Sequence, residues 1–137
     1  MAPSDTIAHI LKHYRTVAVV GLSPKPHRDS HEVAAYMQAH GWRIVPVNPN
    51  ATEILGERTY ATLTEAAQHE RIELVNCFRN SADIPPIVDE AIAVGAKAVW
   101  MQLDIAHAAA SAKARAAGLL VVENRCLKID HAARQHA

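Results

Sequence analysis

The segment Thr16-Val-Ala-Val-Val-Gly-Leu-Ser-Pro-Lys-Pro-His-Arg-Asp-Ser30 decides the fold. It begins as a short apolar strand, continues through one glycine into a loop of small, basic and proline residues, and precedes a helical pattern over 31–40. In open α/β sheets this order brings the chain to the carboxyl edge of the sheet. There glycine permits a tight turn, and the N–H groups at the start of the helix attract an anion. The segment therefore predicts a phosphate-binding loop.

The composition indicates one folded domain and excludes several classes of function. The chain has 137 residues, of which 50% are hydrophobic and 20% charged, and Lys+Arg and Asp+Glu both number 14. This balance argues against nucleic acid as a partner, and no apolar run is long enough to cross a membrane. The first residues lack the pattern of a secretory signal. Two distant cysteines and nine scattered histidines predict neither a disulfide framework nor a metal site. We therefore expect a cytoplasmic protein.

Apolar runs rich in β-branched residues alternate with helical patterns along the chain. The predicted strands are 16–20, 42–47, 73–78, 97–103 and 119–123, and the predicted helices are about 4–14, 32–39, 62–68, 84–94 and 105–117. We interpret 50–60 as a packed loop and about 130–137 as a polar tail. This alternation predicts a single α/β domain over 1–137, with a Rossmann-like, mainly parallel five-stranded sheet covered by helices on both faces.

The loops after the first four strands should meet at one crevice, because the carboxyl ends of parallel strands share an edge of the sheet. In the first loop Gly21 would allow a phosphate to approach the backbone. Ser23 and Ser30 offer hydroxyl groups, and Lys25 and Arg28 offer positive charge. The alternative is that this loop only connects a strand to a helix, with its charges in solvent.

Two common nucleotide-binding signatures, and the acidic residue of an NAD site, are missing from the sequence. Neither the Gly-x-Gly-x-x-Gly nor the Gly-x-x-x-x-Gly-Lys-Ser/Thr pattern occurs. The second strand ends in Val47, Asn48 and Pro49, where an NAD site would have an acidic residue for the ribose. These observations disfavour a nicotinamide-dependent dehydrogenase.

Six motifs in a fixed order carry a resemblance to a known family. They are Val19-Val-Gly-Leu-Ser-Pro-Lys-Pro-His-Arg-Asp-Ser30, Gly41-Trp-Arg-Ile-Val-Pro-Val-Asn-Pro49, Ile54-Leu-Gly56, Val75-Asn-Cys-Phe-Arg79, Val99-Trp-Met-Gln-Leu103 and Val122-Glu-Asn-Arg-Cys126. From about Ile7 to Ile129 the chain resembles the small single-domain CoA-binding proteins of the YccU type. Those proteins are similar to the N-terminal CoA-binding domain of the succinyl-CoA synthetase α subunit.

The resemblance implies a role for each strand end. Gly21, Ser23, Lys25, Arg28 and Ser30 would hold the phosphates of the ADP moiety of coenzyme A. Val47, Asn48 and Pro49 would line the adenosine side, Phe78 and Arg79 would form the opposite wall, and Gln102 would lie near the pantetheine path.

The chain departs from this family pattern in two respects. Relatives often have a basic residue just after the Asn-Pro step, where this chain has Asn50. The synthetase's active-site histidine belongs to a separate domain, and no residue here corresponds to it.

We therefore expect a protein that binds coenzyme A or an acyl-CoA as a binding or regulatory module without catalytic residues. One alternative is an enzyme that uses NAD(P) or another nucleotide cofactor. Another is a subunit that contributes a CoA domain to a larger acyl-CoA ligase, and a protein partner or a homo-oligomer is compatible with either role. The sequence also leaves open a mixed disulfide between CoA and Cys126, which lies beside Arg125.

Overall fold

The computed structural model describes residues 2–135. The helices are α1 (Pro3–His13), α2 (Asp29–Ala39), α3 (Leu63–Ala66), α4 (Ile84–Ala93), α5 (Ala108–Ala116) and α6 (Leu127–Gln135). The strands are β1 (Thr16–Val20), β2 (Arg43–Val47), β3 (Glu53–Ile54), β4 (Glu57–Arg58), β5 (Leu74–Cys77), β6 (Ala98–Met101) and β7 (Leu120–Val122). None of the helices in this part of the chain has the length and apolar character needed to cross a membrane.

Five of the strands form one sheet in the order β2-β1-β5-β6-β7, and every neighbouring pair is parallel. In β1, Val17 pairs with Ile44 on one side and with Leu74 on the other. The predicted α/β class and the five-stranded sheet are thereby confirmed, and the sheet is wholly parallel rather than mainly so.

Successive residues of each strand face opposite layers of helices, as the period of two requires. In β1, Val17 and Val19 pack in the layer of α1, α2 and α6, whereas Ala18 packs in the layer of α3, α4 and α5. Both faces of the strands are buried, which explains their nearly continuous apolar sequences. The prediction of helices on both faces is confirmed.

The segment 50–60, predicted as a loop, contains a short antiparallel hairpin, so that prediction was wrong. Strands β3 and β4 pair Glu53 with Arg58, and the turn between them holds Leu55 at φ 54° and Gly56 at φ 75°. Tyr60 then forms a bridge to Val47 at the outer edge of β2. The segment therefore covers an edge strand that would otherwise expose unpaired backbone groups.

The predicted polar tail was also wrong up to Gln135, because Leu127–Gln135 is helix α6. Within it Asp130 is 3% and His131 8% exposed, although both are polar. Asp130 pairs with Arg125, and His131 Nδ1 is 2.9 Å from the hydroxyl of Tyr36. The rest of the predicted tail, including His136, lies outside the described residues.

Candidate functional site at the carboxyl edge of the sheet

The candidate site lies where the strand order reverses. The chain leaves β1 towards β2 on one side and later returns to β5 on the other. Loops after adjacent parallel strands diverge at such a point and leave a crevice at the carboxyl edge, where ligands of open α/β sheets bind. The loops that begin at Gly21, Asn48, Phe78 and Gln102 all leave the sheet at this edge.

Gly21 lies where the first loop closely approaches the backbone of Phe78. Its φ is +88°, and a Cβ atom at this position would lie 2.5 Å from the backbone oxygen of Phe78. Its N–H donates to Val47 O at 3.0 Å, and Phe78 N–H donates to Val20 O at 2.9 Å. Only glycine satisfies both the left-handed backbone and this close approach of β5.

The loop after Gly21 is shaped by its own serines. Ser23 N–H donates to Ser30 Oγ at 2.9 Å, and Lys25 N–H donates to Ser23 Oγ at 3.1 Å. Each hydroxyl accepts one backbone N–H and still has its own proton to donate. The two serines predicted as ligand donors therefore also fix the loop that would surround the ligand.

Positive charge in this loop comes from Lys25 and Arg28, which are exposed. The ion pairs found within residues 2–135 involve neither side chain. Helix α2 begins directly after Arg28, and the first N–H groups of a helix have no partner within the helix. Two cations and a helix N-terminus thus face the same loop, an arrangement that attracts a phosphate.

Asn48 joins the second strand end to the first loop. Its Nδ2 donates to Leu22 O at 2.9 Å, and its Oδ1 accepts the N–H of Asn50 at 2.8 Å. Both ends of this amide are therefore occupied by backbone groups. Val47 and Pro49 flank Asn48 at the same edge, as predicted. The Asn48 side chain forms part of the cavity wall, because its hydrogen bonds connect the second strand end to the first loop.

Phe78 and Arg79 follow β5 and separate the two sides of the crevice. Phe78 is half-buried against the core layer of α1, α2 and α6, while Arg79 is exposed, with its Nε 3.7 Å from Asp83 Oδ2. The aromatic ring offers an apolar wall, and the neighbouring guanidinium is accessible to solvent.

Gln102 is a buried side chain and not a solvent-exposed hydrogen-bond donor. It is 5% exposed, and its Oε1 accepts the N–H of Leu127 at 3.0 Å. The side chain thereby satisfies one of the N–H groups at the start of α6 that lacks a partner within the helix. Gln102 lines the crevice where it was expected, and it also holds α6 against the end of β6.

Three cavities follow one another along this edge. The β2-side cavity has a volume of 480 Å³, the loop cavity 360 Å³ and the β6-side cavity 590 Å³. The loop cavity shares Gly21 and Ser23 with the β2-side cavity, and shares Asp29 and Phe78 with the β6-side cavity. The three cavities are therefore neighbours that share walls, with the glycine loop between the other two, and together they make up the crevice.

All eleven residues predicted for the site line this crevice. The β2-side cavity is lined by Gly21, Ser23, Val47, Asn48, Pro49 and Arg79, the loop cavity by Gly21, Ser23, Lys25, Arg28, Ser30 and Phe78, and the β6-side cavity by Phe78, Arg79 and Gln102. Their contacts with a ligand stay a prediction.

Sequence reasoning missed the outer wall of the β6-side cavity. Leu103 and Ile129 lie there, from the loop after β6 and from α6. Part of this wall could be read from the sequence, because Leu103 ends the fourth predicted strand and Ile129 is a large apolar residue. The assignment of 130–137 to a tail concealed that a helix begins at Leu127.

The two cysteines have different surroundings. Cys77 is fully buried in β5, and burial raises the pKa of its thiol to about 12. Cys126 is partly exposed and lines the β6-side cavity. Only Cys126 can meet a ligand without unfolding of the sheet.

A wholly parallel sheet with a glycine loop, a helix N-terminus and cations at its switch point defines a nucleotide-binding α/β domain of the Rossmann-like type. The sequence profile of the CoA binding domain matches residues 15–132, and the chain belongs to that family. The resemblance found from the motifs is thereby confirmed.

Three comparisons illustrate this placement. The chain is 36% identical over 126 residues to the uncharacterized protein YneT of Bacillus subtilis, a match that covers 92% of both chains. It is similar to the structure of a hypothetical protein from Pyrococcus horikoshii, at 38% identity and a TM-score of 0.90, covering 97% of this chain and 92% of that one. The fold also matches part of a dinucleotide-forming acetyl-coenzyme A synthetase from Korarchaeum cryptofilum. That match has 18% identity and a TM-score of 0.72, and it covers 82% of this chain and 26% of the synthetase.

Proposed function

We propose that this protein binds coenzyme A or an acyl-CoA in the crevice at the carboxyl edge of its sheet, and that it acts as a binding or regulatory module. The adenosine lies in the β2-side cavity, the diphosphate in the loop cavity, and the pantetheine arm passes Phe78 into the β6-side cavity. Membership of the CoA binding domain family supports the choice of ligand.

One observation carries the proposal: the loop cavity shares walls with a larger cavity on each side. A ligand whose diphosphate lies between two large ends fits this arrangement. Coenzyme A has this form, with a diphosphate between a 3′-phosphorylated nucleoside and an extended uncharged arm, and the basic residue that lines the β2-side cavity is Arg79. The cations Lys25 and Arg28 border only the loop cavity, where the diphosphate would lie.

NAD fits the same crevice less well. An NAD site uses a carboxylate at the second strand end to hold the ribose hydroxyls. Here that position holds Asn48, whose side chain is already bonded to Leu22 O and to the Asn50 N–H.

Isothermal titration calorimetry with CoA, acetyl-CoA, NAD, NADP and ATP tests the proposal. We expect micromolar or tighter binding of CoA or acetyl-CoA, and weaker binding of the other three. A protein that produces no heat with either CoA compound, or that prefers NAD or NADP, would contradict it.

The proposed role includes no catalytic step and assigns the protein to the cytoplasm, where free thiols such as Cys77 and Cys126 stay reduced. Incubation of the protein with acetyl-CoA, followed by mass spectrometry of any hydrolysis products, would test whether the protein lacks a catalytic step. Turnover above the rate in buffer would contradict a purely binding role.

A second role, as the CoA-binding subunit of a larger ligase, is favoured by the match to one part of an acetyl-CoA synthetase. The sheet of that synthetase part belongs to a much longer chain, since the match covers 26% of it. Size-exclusion chromatography of the native complex from cells would separate the two roles. A protein that elutes alone supports the independent module.

A further inference from the structure

The β6-side cavity has an apolar far end. Phe78 lies at the boundary with the loop cavity, whereas Leu103, Ile105, Cys126 and Ile129 border only the β6-side cavity. Leu103 is 53% and Ile129 61% exposed, and these are the large apolar side chains that are exposed within residues 2–135. Such exposure is costly in water, and it is concentrated at one cavity mouth.

The two walls that carry these side chains are fixed to each other. Trp100 Nε1 donates to Arg125 O at 2.8 Å, and Arg125 N–H donates to Met101 O at 3.2 Å. Asn124 Oδ1 accepts the N–H of Asp104 at 2.7 Å, and Gln102 Oε1 accepts the N–H of Leu127 at 3.0 Å. The cavity between the β6 loop and α6 is therefore formed before any ligand arrives, which lowers the entropic cost of binding.

The charges around the cavity disfavour an anionic occupant. Its lining includes three carboxylates, Asp29, Glu32 and Asp104. Of its two cations, Arg79 is paired with Asp83, and Lys128 Nζ lies 5.7 Å from the ring centre of Tyr36. Three carboxylates thus outnumber two cations in the lining, so a free carboxylate at the end of the acyl chain would meet net repulsion here.

We propose that the far end of the β6-side cavity binds the acyl chain of a neutral aliphatic acyl-CoA, with Leu103 and Ile129 as its specificity-determining residues. The inference rests on the proposed function, because the arm of CoA must pass Phe78 for its thioester to reach this cavity. The wall shared with the loop cavity, a volume of 590 Å³ and the apolar mouth together favour this occupant.

Calorimetry with CoA, acetyl-CoA, butyryl-CoA, hexanoyl-CoA and succinyl-CoA tests the proposed acyl-chain site. We expect the affinity to rise by about fourfold for each methylene that becomes buried, so that hexanoyl-CoA binds well over tenfold more tightly than acetyl-CoA. Succinyl-CoA should bind more weakly than butyryl-CoA, which has the same number of acyl carbons and lacks the carboxylate.

Substitutions at the cavity mouth separate this inference from the proposed function. The double variant Leu103→Ser and Ile129→Ser should lose most of the gain in affinity that hexanoyl-CoA shows over acetyl-CoA in the wild type. The matched control Leu103→Met retains an apolar side chain and should keep the gain. Both residues are exposed, so neither substitution removes a core contact.

Cys126 supplies an independent readout of this cavity. Alkylation of Cys126 by iodoacetamide, followed by peptide mass spectrometry, should be slowed more by saturating hexanoyl-CoA than by saturating acetyl-CoA, which has no free thiol to consume the reagent. Equal protection by the two ligands would overturn the placement of the acyl chain.

The outcomes are distinguishable. Failure of both CoA and hexanoyl-CoA to bind contradicts the proposed function itself. Equal affinity for CoA and hexanoyl-CoA leaves that function standing and overturns the acyl site. A dimer in sedimentation that the double variant dissociates would also overturn it, because the apolar mouth would then be a contact between two copies of the chain.

Discussion

Gly21 and Phe78 approach so closely that a single methyl group would not fit between them. A Cβ atom at Gly21 would lie 2.5 Å from the Phe78 carbonyl oxygen and 3.1 Å from its carbonyl carbon. Because the obstacle is backbone of the neighbouring strand, it cannot turn aside as a side chain would. This contact fixes the distance between the glycine loop and the wall that Phe78 forms.

The first prediction concerns this contact. Gly21→Ala should destabilise the protein by more than the roughly 1–2 kcal/mol that a left-handed alanine costs, because strands β1 and β5 must also separate. Gly118→Ala is the matched control, since Gly118 has φ +90° and a Cβ atom there would meet nothing within 4 Å. Urea unfolding of both variants measures the difference. Equal destabilisation would show that the close approach to Phe78 is unimportant.

Arg28 should contribute directly to binding of a phosphate. Arg28→Ala is expected to weaken CoA binding by about tenfold or more, the effect of removing one charge-assisted contact. Arg71→Ala removes an exposed arginine that precedes β5 at the opposite edge of the sheet and serves as the control. Calorimetry at two salt concentrations measures both. An Arg28→Ala variant with wild-type affinity would place the phosphates elsewhere.

Gln102 should matter for the attachment of α6. Gln102→Met keeps the length of the side chain and removes its acceptor, so the buried N–H of Leu127 loses its partner at a cost of about 1–3 kcal/mol. Gln38→Met is the comparison, because it removes a hydrogen bond to Leu55 O at a half-exposed site. Hydrogen exchange should show faster exchange in α6 for the first variant only. Unchanged protection of α6 would contradict this role.

The stability of the protein should depend on pH through His131. Burial lowers the pKa of His131 below its ordinary value of 6.5, and His40 and Arg15 lower it further. The unfolded chain therefore binds this proton more readily than the folded one. The contribution of neutral His131 to the free energy of unfolding is fully present above pH 6.5 and declines as the pH falls below that value.

Urea unfolding at about pH 7.5 and about pH 5.5 checks this expectation. The free energy of unfolding should fall more in the wild type than in His131→Asn, which cannot take up the proton. His27→Asn, at an exposed histidine of the glycine loop, should behave like the wild type. A wild type and a His131→Asn variant with parallel pH profiles would refute the assignment.

Thiol labelling should distinguish the two cysteines. In the folded protein iodoacetamide should modify Cys126 and leave Cys77 intact, because burial both blocks access to Cys77 and raises its pKa to about 12. Addition of denaturant should expose the second thiol. Rapid native labelling of Cys77 would mean that β5 opens more readily than its full burial implies.

The sheet could be predicted from the sequence because its strands carry their signal locally. Runs such as Thr16–Val20 are apolar on both faces, and the helices between them keep their own period. The carboxyl edge then follows from topology alone, which explains why all eleven predicted residues line one crevice.

What the sequence did not reveal depends on partners distant along the chain. Asp130 and His131 are typical of a solvated tail until Arg125 and Tyr36 satisfy them. The β3–β4 hairpin consists of two-residue strands, too short to produce a period of two. The attachment of α6 by Gln102 depends on a hydrogen bond from Leu127, which is 25 residues further along the chain.

The position of β1 between β2 and β5 has a consequence for how the protein is made. β1 is an interior strand of the sheet and the first strand to leave the ribosome, and its partner residue Leu74 follows Val17 by more than fifty residues. At ordinary rates of synthesis this delay is roughly 3–12 seconds. During that interval the edge of β1 that faces β5 in the folded sheet has no partner strand, so its backbone groups are open to pairing with other chains.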